Sequence, residues 1–271
     1  MYARSVWFPR DLICVVAVVV LILSGGGWAE TTIQLGTDPS ITGLHGTLLT
    51  PQEAFVGDQV MQGGTITCVA VHCETPPQAT RLTVMQAYIF PGFIDAHNHV
   101  AYNVLPKWTP PKRSQNRGQW QRAQAYKQFK APYSRLKDQD KLFCEMVKYG
   151  ELEALLSGIT TIQGTSPDQT CFRTLIRNAE NQSELPITPA HLHTYILDIR
   201  SFKGTVDWTV TRAFVVHRAE GIDPHLREEF RILKQKGLLT AQTAIIHGTA
   251  FEEAEFAEMA QVGAKLISQV D

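Results

Sequence analysis

Five side chains in three short segments carry the chemistry this sequence offers. They are His97 and His99 in Phe93-Ile-Asp-Ala-His-Asn-His99, His217 and Glu220 in His217-Arg-Ala-Glu-Gly221, and His247 in Ile245-Ile-His-Gly248. Each set follows an apolar, strand-like run: Phe93-Ile94 before His97, Phe214–Val216 before His217 and Ile245-Ile246 before His247. In an extended strand residues i and i+2 share a face, so His97 and His99 would present two imidazoles to one side. Converging neutral imidazoles can hold a divalent metal ion, whereas a lone buried histidine more often satisfies a hydrogen bond. Taken singly, each residue also has a plain structural reading. His97 is then a strand-end core residue, Glu220 a carboxylate favoured at a helix start, and His247 a hydrogen-bonded part of the framework. His191, His193 and His225 are read in that plain way.

Residues at strand ends need strands to hold them. Between Thr31 and Tyr88 the short apolar segments Thr32–Leu35, Gly46–Thr50, Thr65–Val71 and Thr83-Val84 alternate with Gly, Pro and Asp clusters, which predicts a small β layer. After Pro91, strand-like runs are followed by helical stretches over Lys141–Leu156, Cys171–Asn181, Pro224–Lys236 and Glu252–Val262. That alternation predicts βα units. Strands are expected at Phe93, Ile159, Tyr195, Val215, Ile245 and Ala264–Ile267, and none can be placed between Asp198 and Ala213.

The run Pro91-Gly-Phe-Ile-Asp-Ala-His-Asn-His99 resembles the strand that opens the barrel of the metal-dependent amidohydrolase superfamily. Ser157–Ile162 is similar to that family's second strand, His217–Gly221 to its fifth and Ile246-His-Gly248 to its sixth. The resemblance implies an α/β fold, an incomplete TIM-like (β/α) barrel preceded by a small β-sandwich. Residues 30–88 would form the sandwich and 89–271 the partial barrel. It further implies metal ligation by His97, His99, His217 and His247, the last ligating or orienting the substrate carbonyl, and a proton-shuttling Glu220. No lysine falls where two-metal relatives carry a bridging carbamate on the fourth strand, so one divalent ion, Zn or Fe, is expected. The implied activity is hydrolysis of a C–N bond, in an amide or cyclic amide, by metal-activated water. A deaminase of a ring amidine would use the same residues. Fewer residues follow Pro91 than the roughly 200 to 250 of a complete barrel. The eighth strand and its metal-binding aspartate are not found, and Asp271 comes too early to replace it. The chain alone is therefore expected to be a poor catalyst, and the alternative is a truncated remnant that binds a metal or ligand. Open sheet edges favour assembly, so an oligomer is allowed.

The balance of 25 Lys+Arg against 26 Asp+Glu, net charge -1, gives no reason to expect a nucleic-acid partner. One segment departs from it. Lys107 to Lys137 holds nine basic residues, no acidic one, and Trp108, Trp120, Tyr126, Phe129 and Tyr133. Read as a loop over the active-site face, it offers Arg113, Arg117 and Trp120 to a small anionic or aromatic substrate. The plain reading is a solvated loop whose aromatics pack down.

At the N-terminus, Arg4 and Arg10 precede the apolar run Leu12–Leu23, and Gly27 and Ala29 fit a cleavage site after Ala29. The run falls short of the roughly 20 residues that span a bilayer. Residues 1–29 are therefore expected to be a signal peptide, the product being exported to the periplasm or extracellular space without stable membrane insertion; an uncleaved anchor is the alternative. Cys14 would leave with the signal. Cys68, Cys73, Cys144 and Cys171 then form an even set for which disulfides are the default, with a local Cys68–Cys73 bridge one option. A zinc knuckle of Cys68, His72 and Cys73 is the sharper alternative. Asn181-Gln-Ser183 fits a glycosylation acceptor.

Overall fold

Alternating apolar residues and glycine-bearing turns build the first part of the chain into strands. The computed structural model describes residues 18–21, 31–164, 171, 175–180, 192–195 and 198–268. The chain divides into two compact units, one running to Ile94 and including Ala154–Thr161, the other formed by Asp95–Glu153 and the residues from Ile162 onward.

In the first unit β1 (Val18–Leu21), β2 (Thr31–Gln34), β3 (Asp38–Leu49), β4 (Ala54–Gln62), β5 (Thr65–Ala70) and β6 (Ala79–Pro91) form one six-stranded sheet. The order is β1-β6-β3-β4-β5, with β2 also on β6. Gly63 and Gly64, at φ 56 and 80, turn β4 into β5, a conformation that costs a glycine little. Leu44, Leu48, Val84, Ala87 and Ile89 form one buried cluster and Ile41, Val60, Cys73 and Ala79 another. Strand β4 escaped the sequence reading because Gly57-Asp-Gln59 interrupts its apolar pattern. Cys68 and Cys73 are bonded to each other, so neither thiolate remains for a zinc knuckle. Four residues of the expected signal run, β1, pair antiparallel with Tyr88–Pro91. The cleavage site after Ala29, Cys14, His191, the Asn181 acceptor and Asp271 lie outside the described residues.

The second unit takes up the chain at Asp95. Strands β7 (Phe93–Asp95) and β8 (Ile159–Ile162) begin in the first unit and end in the second, and are joined with β9 (Arg177–Asn178) in that order; β10 (Leu192–Tyr195), β11 (Ala213–Arg218), β12 (Thr243–His247) and β13 (Lys265–Ile267) form a wholly parallel sheet in sequence order. Helix α4 (Arg227–Gln235) links β11 to β12, and α5 (Glu253–Val262) links β12 to β13. Reciprocal capping between Glu252 and Glu255 starts α5, and Gly263 at φ 80 ends it. Phe214, Val216 and Ile245 pack against Phe230 and Leu233 of α4 and Met259 of α5. The architecture is a partial (β/α) barrel, its strands held among the described residues as sheets of three and four.

Two expectations change. Within the stretch expected as a helix over Cys171–Asn181, Arg177–Asn178 is a strand, and Ala179 N–H donates to the Ile162 carbonyl at 2.8 Å. A short apolar run such as Leu175-Ile176 does not by itself distinguish helix from buried strand. The strand not found in the sequence is therefore β9, and the interval from Asp198 to Ala213 is bridged without one because β10 pairs directly with β11. The basic segment expected as a loop contains α1 (Arg117–Arg122) and α2 (Gln124–Leu136), rich in the helix-favouring Gln, Ala, Lys and Arg. Its aromatics do pack on one another, Trp108 with Phe129 at 5.3 Å between ring centres and Trp120 with Tyr126 at 4.7 Å. Cys144, on α3 (Asp140–Leu156), is bonded to Cys171. No helix among the described residues is long and apolar enough to cross a membrane.

Helix α3 approaches the first histidine segment closely, since a Cβ on Gly150 would lie 2.2 Å from the carbonyl oxygen of Val100, the residue after His99. Gly150→Ala is expected to destabilise the protein by about 1–3 kcal/mol by displacing the His97–His99 turn, and thermal unfolding of the variant checks this.

Candidate metal centre

Alternation along β11 sends Phe214 and Val216 toward the helices, leaving Val215 and His217 on the opposite face. On β12, Ile246 is paired with His217, so plain alternation would send His247 toward the helices with Ile245. A left-handed backbone at His247, φ 77, breaks the alternation. The ligand atoms of His97, His217 and His247 consequently lie within 4.8 Å of one another. Ring centres are 4.6 Å apart for His97 and His217, 5.3 Å for His217 and His247, and 5.7 Å for His97 and His247.

His99 is not part of this trio. Strand β7 ends at Asp95, so the period-two argument for His97 and His99 sharing a face does not extend to them. The His99 ring packs edge-on against His97 at 4.8 Å and donates to the Gly164 carbonyl. Gly164 stands at φ 117, and a Cβ there would lie 2.6 Å from the Asn98 carbonyl oxygen and 3.2 Å from His97 Nδ1. Only glycine fits that approach.

Burial holds these imidazoles uncharged. It pushes the pKa of His97 down to about 4, helped by His99 and His247, and that of His217 to about 2, helped first by His97. His99 is lowered too, first by the protein around it and then by Arg117, although its surface still reaches solvent. The Nδ1 atoms of His97 and His217 are buried without a hydrogen-bond partner, an arrangement that is unfavourable unless something else engages the rings. Neutral, converging and under-satisfied imidazoles are a donor set that fits a divalent transition-metal ion.

Glu220 follows β11 through Ala219, whose backbone is left-handed at φ 54 and whose N–H donates to Glu229 of α4 at 2.8 Å. Its Oε2 lies 3.4 Å from His247 Nε2 and 3.7 Å from Arg117 Nη1, and the Trp120 side chain stands near enough to favour the charged carboxylate. Burial raises its pKa to about 7 against the opposing pull of Arg117 and Trp120, with Glu229 adding to the rise. Helix α1 is fixed to this loop. Asn116 and Gly221 form an antiparallel bridge, Arg117 N–H donates to the Glu220 carbonyl at 3.0 Å, and the Asn116 side chain donates to Asp223 at 3.0 Å.

Of the residues expected to meet substrate, Arg117 and Trp120 therefore reach Glu220, while Arg113 stays exposed in the coil before α1. His225 is exposed and His193 half-buried. Sequence reasoning did not find Gly164, Glu229 or Asn116. Nor did it find Gln163, whose amide donates to Glu180 at 2.8 Å and Thr194 at 3.2 Å. A glycine just past a strand was the one available signal, for Gly164.

Strand-end histidines are thus gathered beside a buried carboxylate on a partial parallel barrel, and comparison with solved structures shows a fold similar to that of triazine hydrolase and related enzymes. A triazine hydrolase variant matches with a TM-score of 0.55 at 14% identity, over 85% of this chain and 65% of that one. A mutant of atrazine chlorohydrolase from Arthrobacter aurescens TC1, complexed with zinc and atraton, matches with 0.56 at 14% identity over 83% and 64%. N-isopropylammelide isopropylaminohydrolase from Burkholderia multivorans matches with 0.50 at 14% identity over 84% and 68%. The chain thus spans about two thirds of the length of these structures. No family model matches the chain, and no curated protein does.

The pH dependence of stability rests on these shifts. A histidine whose pKa is lowered on folding contributes no penalty above its ordinary value of 6.5 and loses stability for the fold as pH falls toward about 4 for His97 and about 2 for His217. Glu220, raised from 4.5 to about 7, opposes this by taking up a proton in the folded state over that interval. Two histidines outweigh one glutamate, so the unfolding midpoint of metal-free protein should fall on acidification from pH 6.5 to 4.5, more steeply in Glu220→Gln. Zinc should still raise the midpoint at pH 5 much as at pH 7, because His97 and His217 in the folded protein hold almost no proton for the ion to displace at either pH. Thermal scans across this range, with and without zinc, check each part.

Proposed function

We propose that the chain is a metal-dependent hydrolase of C–N bonds belonging to the amidohydrolase superfamily, with residues 30–88 as its β domain and 89–271 as its partial barrel. The observation that carries this reading is the convergence beside Glu220 of three imidazoles, two of which, His97 and His217, burial keeps uncharged. His97, His217 and His247 would hold one divalent ion, zinc or iron, with His99 at its side. When bound, such an ion supplies Lewis acidity at the carbon under attack and makes water a competent nucleophile near neutral pH.

The chain's own residues account for the proton movements. Glu220, with its pKa near 7, takes a proton from the attacking water on Oε2 and passes it to the leaving nitrogen. His247, whose Nε2 lies 3.4 Å from Glu220, would ligate the ion or orient the substrate carbonyl. The substrate is a small molecule. Release of an amine from a ring amidine is the second reading, favoured by the isopropylaminohydrolase among the structural neighbours.

Export is proposed as well, supported by the basic and apolar N-terminus and by two disulfides. Cleavage after Ala29 would remove β1 from β6, and mass spectrometry of the exported protein should find Glu30 at the N-terminus. An intact Met1 would overturn cleavage.

For catalysis, Glu220→Gln is expected to retain zinc while lowering turnover by about 10²- to 10⁴-fold, and His217→Ala to lose zinc. The assay is zinc-loaded protein against a panel of cyclic amides and ring amidines. Zinc binding without turnover on any of them would leave a metal-binding protein and remove the hydrolase reading.

A further inference from the structure

The imidazoles of the candidate metal centre come from two sheets that share no ladder among the described residues. His97 follows β7 of the three-stranded sheet, while His217 and His247 belong to β11 and β12 of the four-stranded one. A metal site works only when its ligands stand within about half an ångström of the right geometry. The two sheets must therefore be held in register where the imidazoles meet.

Gln163, just past β8, is built for that task. Its backbone grips the chain on both sides of His97, the N–H donating to the Asp95 carbonyl at 2.9 Å and the carbonyl accepting from Asn98 N–H at 2.6 Å. Its side chain reaches away from that segment. The amide nitrogen donates to Glu180, just past β9, at 2.8 Å, and to the Thr194 hydroxyl of β10, in the other sheet, at 3.2 Å. Glu180 is itself fixed, its N–H donating to the buried Asn178 side chain at 3.0 Å. Thr194 is paired with Val215, and residues paired across a ladder point to the same face of the sheet. Gln163 thus meets the second sheet on the face that carries His217, two residues further along β11.

The choice of side chain is a costly one. Gln163 is 5% exposed, and its Oε1 is buried without a hydrogen-bond partner. An amide with unmet acceptor capacity is unfavourable in such a place, and an apolar side chain of similar length would avoid the penalty. It would not supply the link from β8 to β9 and β10. We propose that Gln163 is a positioning residue of the metal centre, tying the sheet of His97 to the sheet of His217 through Thr194 and passing that constraint to His97 through its backbone. It acts through the histidines and is not itself a ligand. The inference rests on the metal-binding part of the hydrolase reading.

Zinc affinity, measured by competition with a chromogenic chelator, tests it without recourse to turnover. Gln163→Met, similar in length but unable to donate, should weaken zinc about ten- to a hundredfold, the range for loss of a residue that orients metal ligands. Thr194→Val should weaken zinc in the same direction, and Thr194→Ser, which keeps the hydroxyl, should bind it as the parent does. Joined in one protein, Gln163→Met and Thr194→Val should cost no more than Gln163→Met alone, because both break one link. Met259→Ala, a truncation in the helix-side core, should lower the unfolding midpoint while leaving zinc affinity unchanged, which separates positioning from stability. The absorption bands of cobalt-substituted protein, which follow coordination geometry, should change in Gln163→Met and not in Met259→Ala. Should Gln163→Met fail to fold, Thr194→Val and Thr194→Ser carry the test. Parent-like zinc affinity in Gln163→Met and Thr194→Val overturns the proposal, as do losses that add in the double variant. A parent that binds no zinc removes the metal reading and this inference with it. Zinc binding that depends on Gln163, in a protein that hydrolyses nothing, supports the inference while removing the hydrolase reading.

Discussion

Keeping several imidazoles uncharged and in contact beneath the surface is the constraint to which the second unit of this protein is built. Histidine titrates near neutrality in water, so a cluster open to solvent would charge and repel. Here burial suppresses protonation of His97 and His217, and the backbone departs from regular strand wherever that packing needs room. Gly164 lets the chain pass against His97, Gly150 lets α3 pass against the residue after His99, and left-handed backbone at Ala219 and His247 redirects the chain at the ends of β11 and β12. Non-glycine residues in that conformation are unfavourable and persist where surrounding structure fixes them. Glu229 does so for Ala219 through its N–H.

The same arrangement sets the charge balance at Glu220. Burial favours its protonated form, and Arg117 and the Trp120 indole favour the carboxylate. The two tendencies leave the group able to hold or yield a proton near neutral pH, which neither an exposed glutamate nor one fully paired with arginine would do. Glu229 binds the backbone beside Glu220 and also raises its proton affinity, so one α4 side chain serves both the shape and the electrostatics of the site.

Much of this is legible in the sequence, because a histidine closing an apolar run marks a strand end and strand ends of parallel sheets gather at one edge. His97, His217 and His247 all carry that mark. The spacing of His97 and His99 suggests a shared face, but the strand that would enforce period two stops at Asp95. Strand β9 escapes a local reading because only two residues make it and its buried Asn178 carries no β signal. The clasp of α1 on the loop after β11 is not legible at all. It depends on Gly221 fitting against the Gln115 carbonyl about a hundred residues earlier in the chain, and local pattern holds no information at that range.

That separation also shapes how the protein is made. The Asn116–Asp223 hydrogen bond joins residues 107 positions apart, a contact of high order that closes late because the intervening chain must first lose its freedom. During synthesis α1 and α2 emerge well before the loop that receives them, and Trp120, Tyr126 and Tyr133 must wait in a partly folded chain. The clasp is therefore a late event in folding, and its closure sets α1 against the loop that carries Glu220. Such aromatic surface, exposed until then, is where a folding chain is most open to premature association.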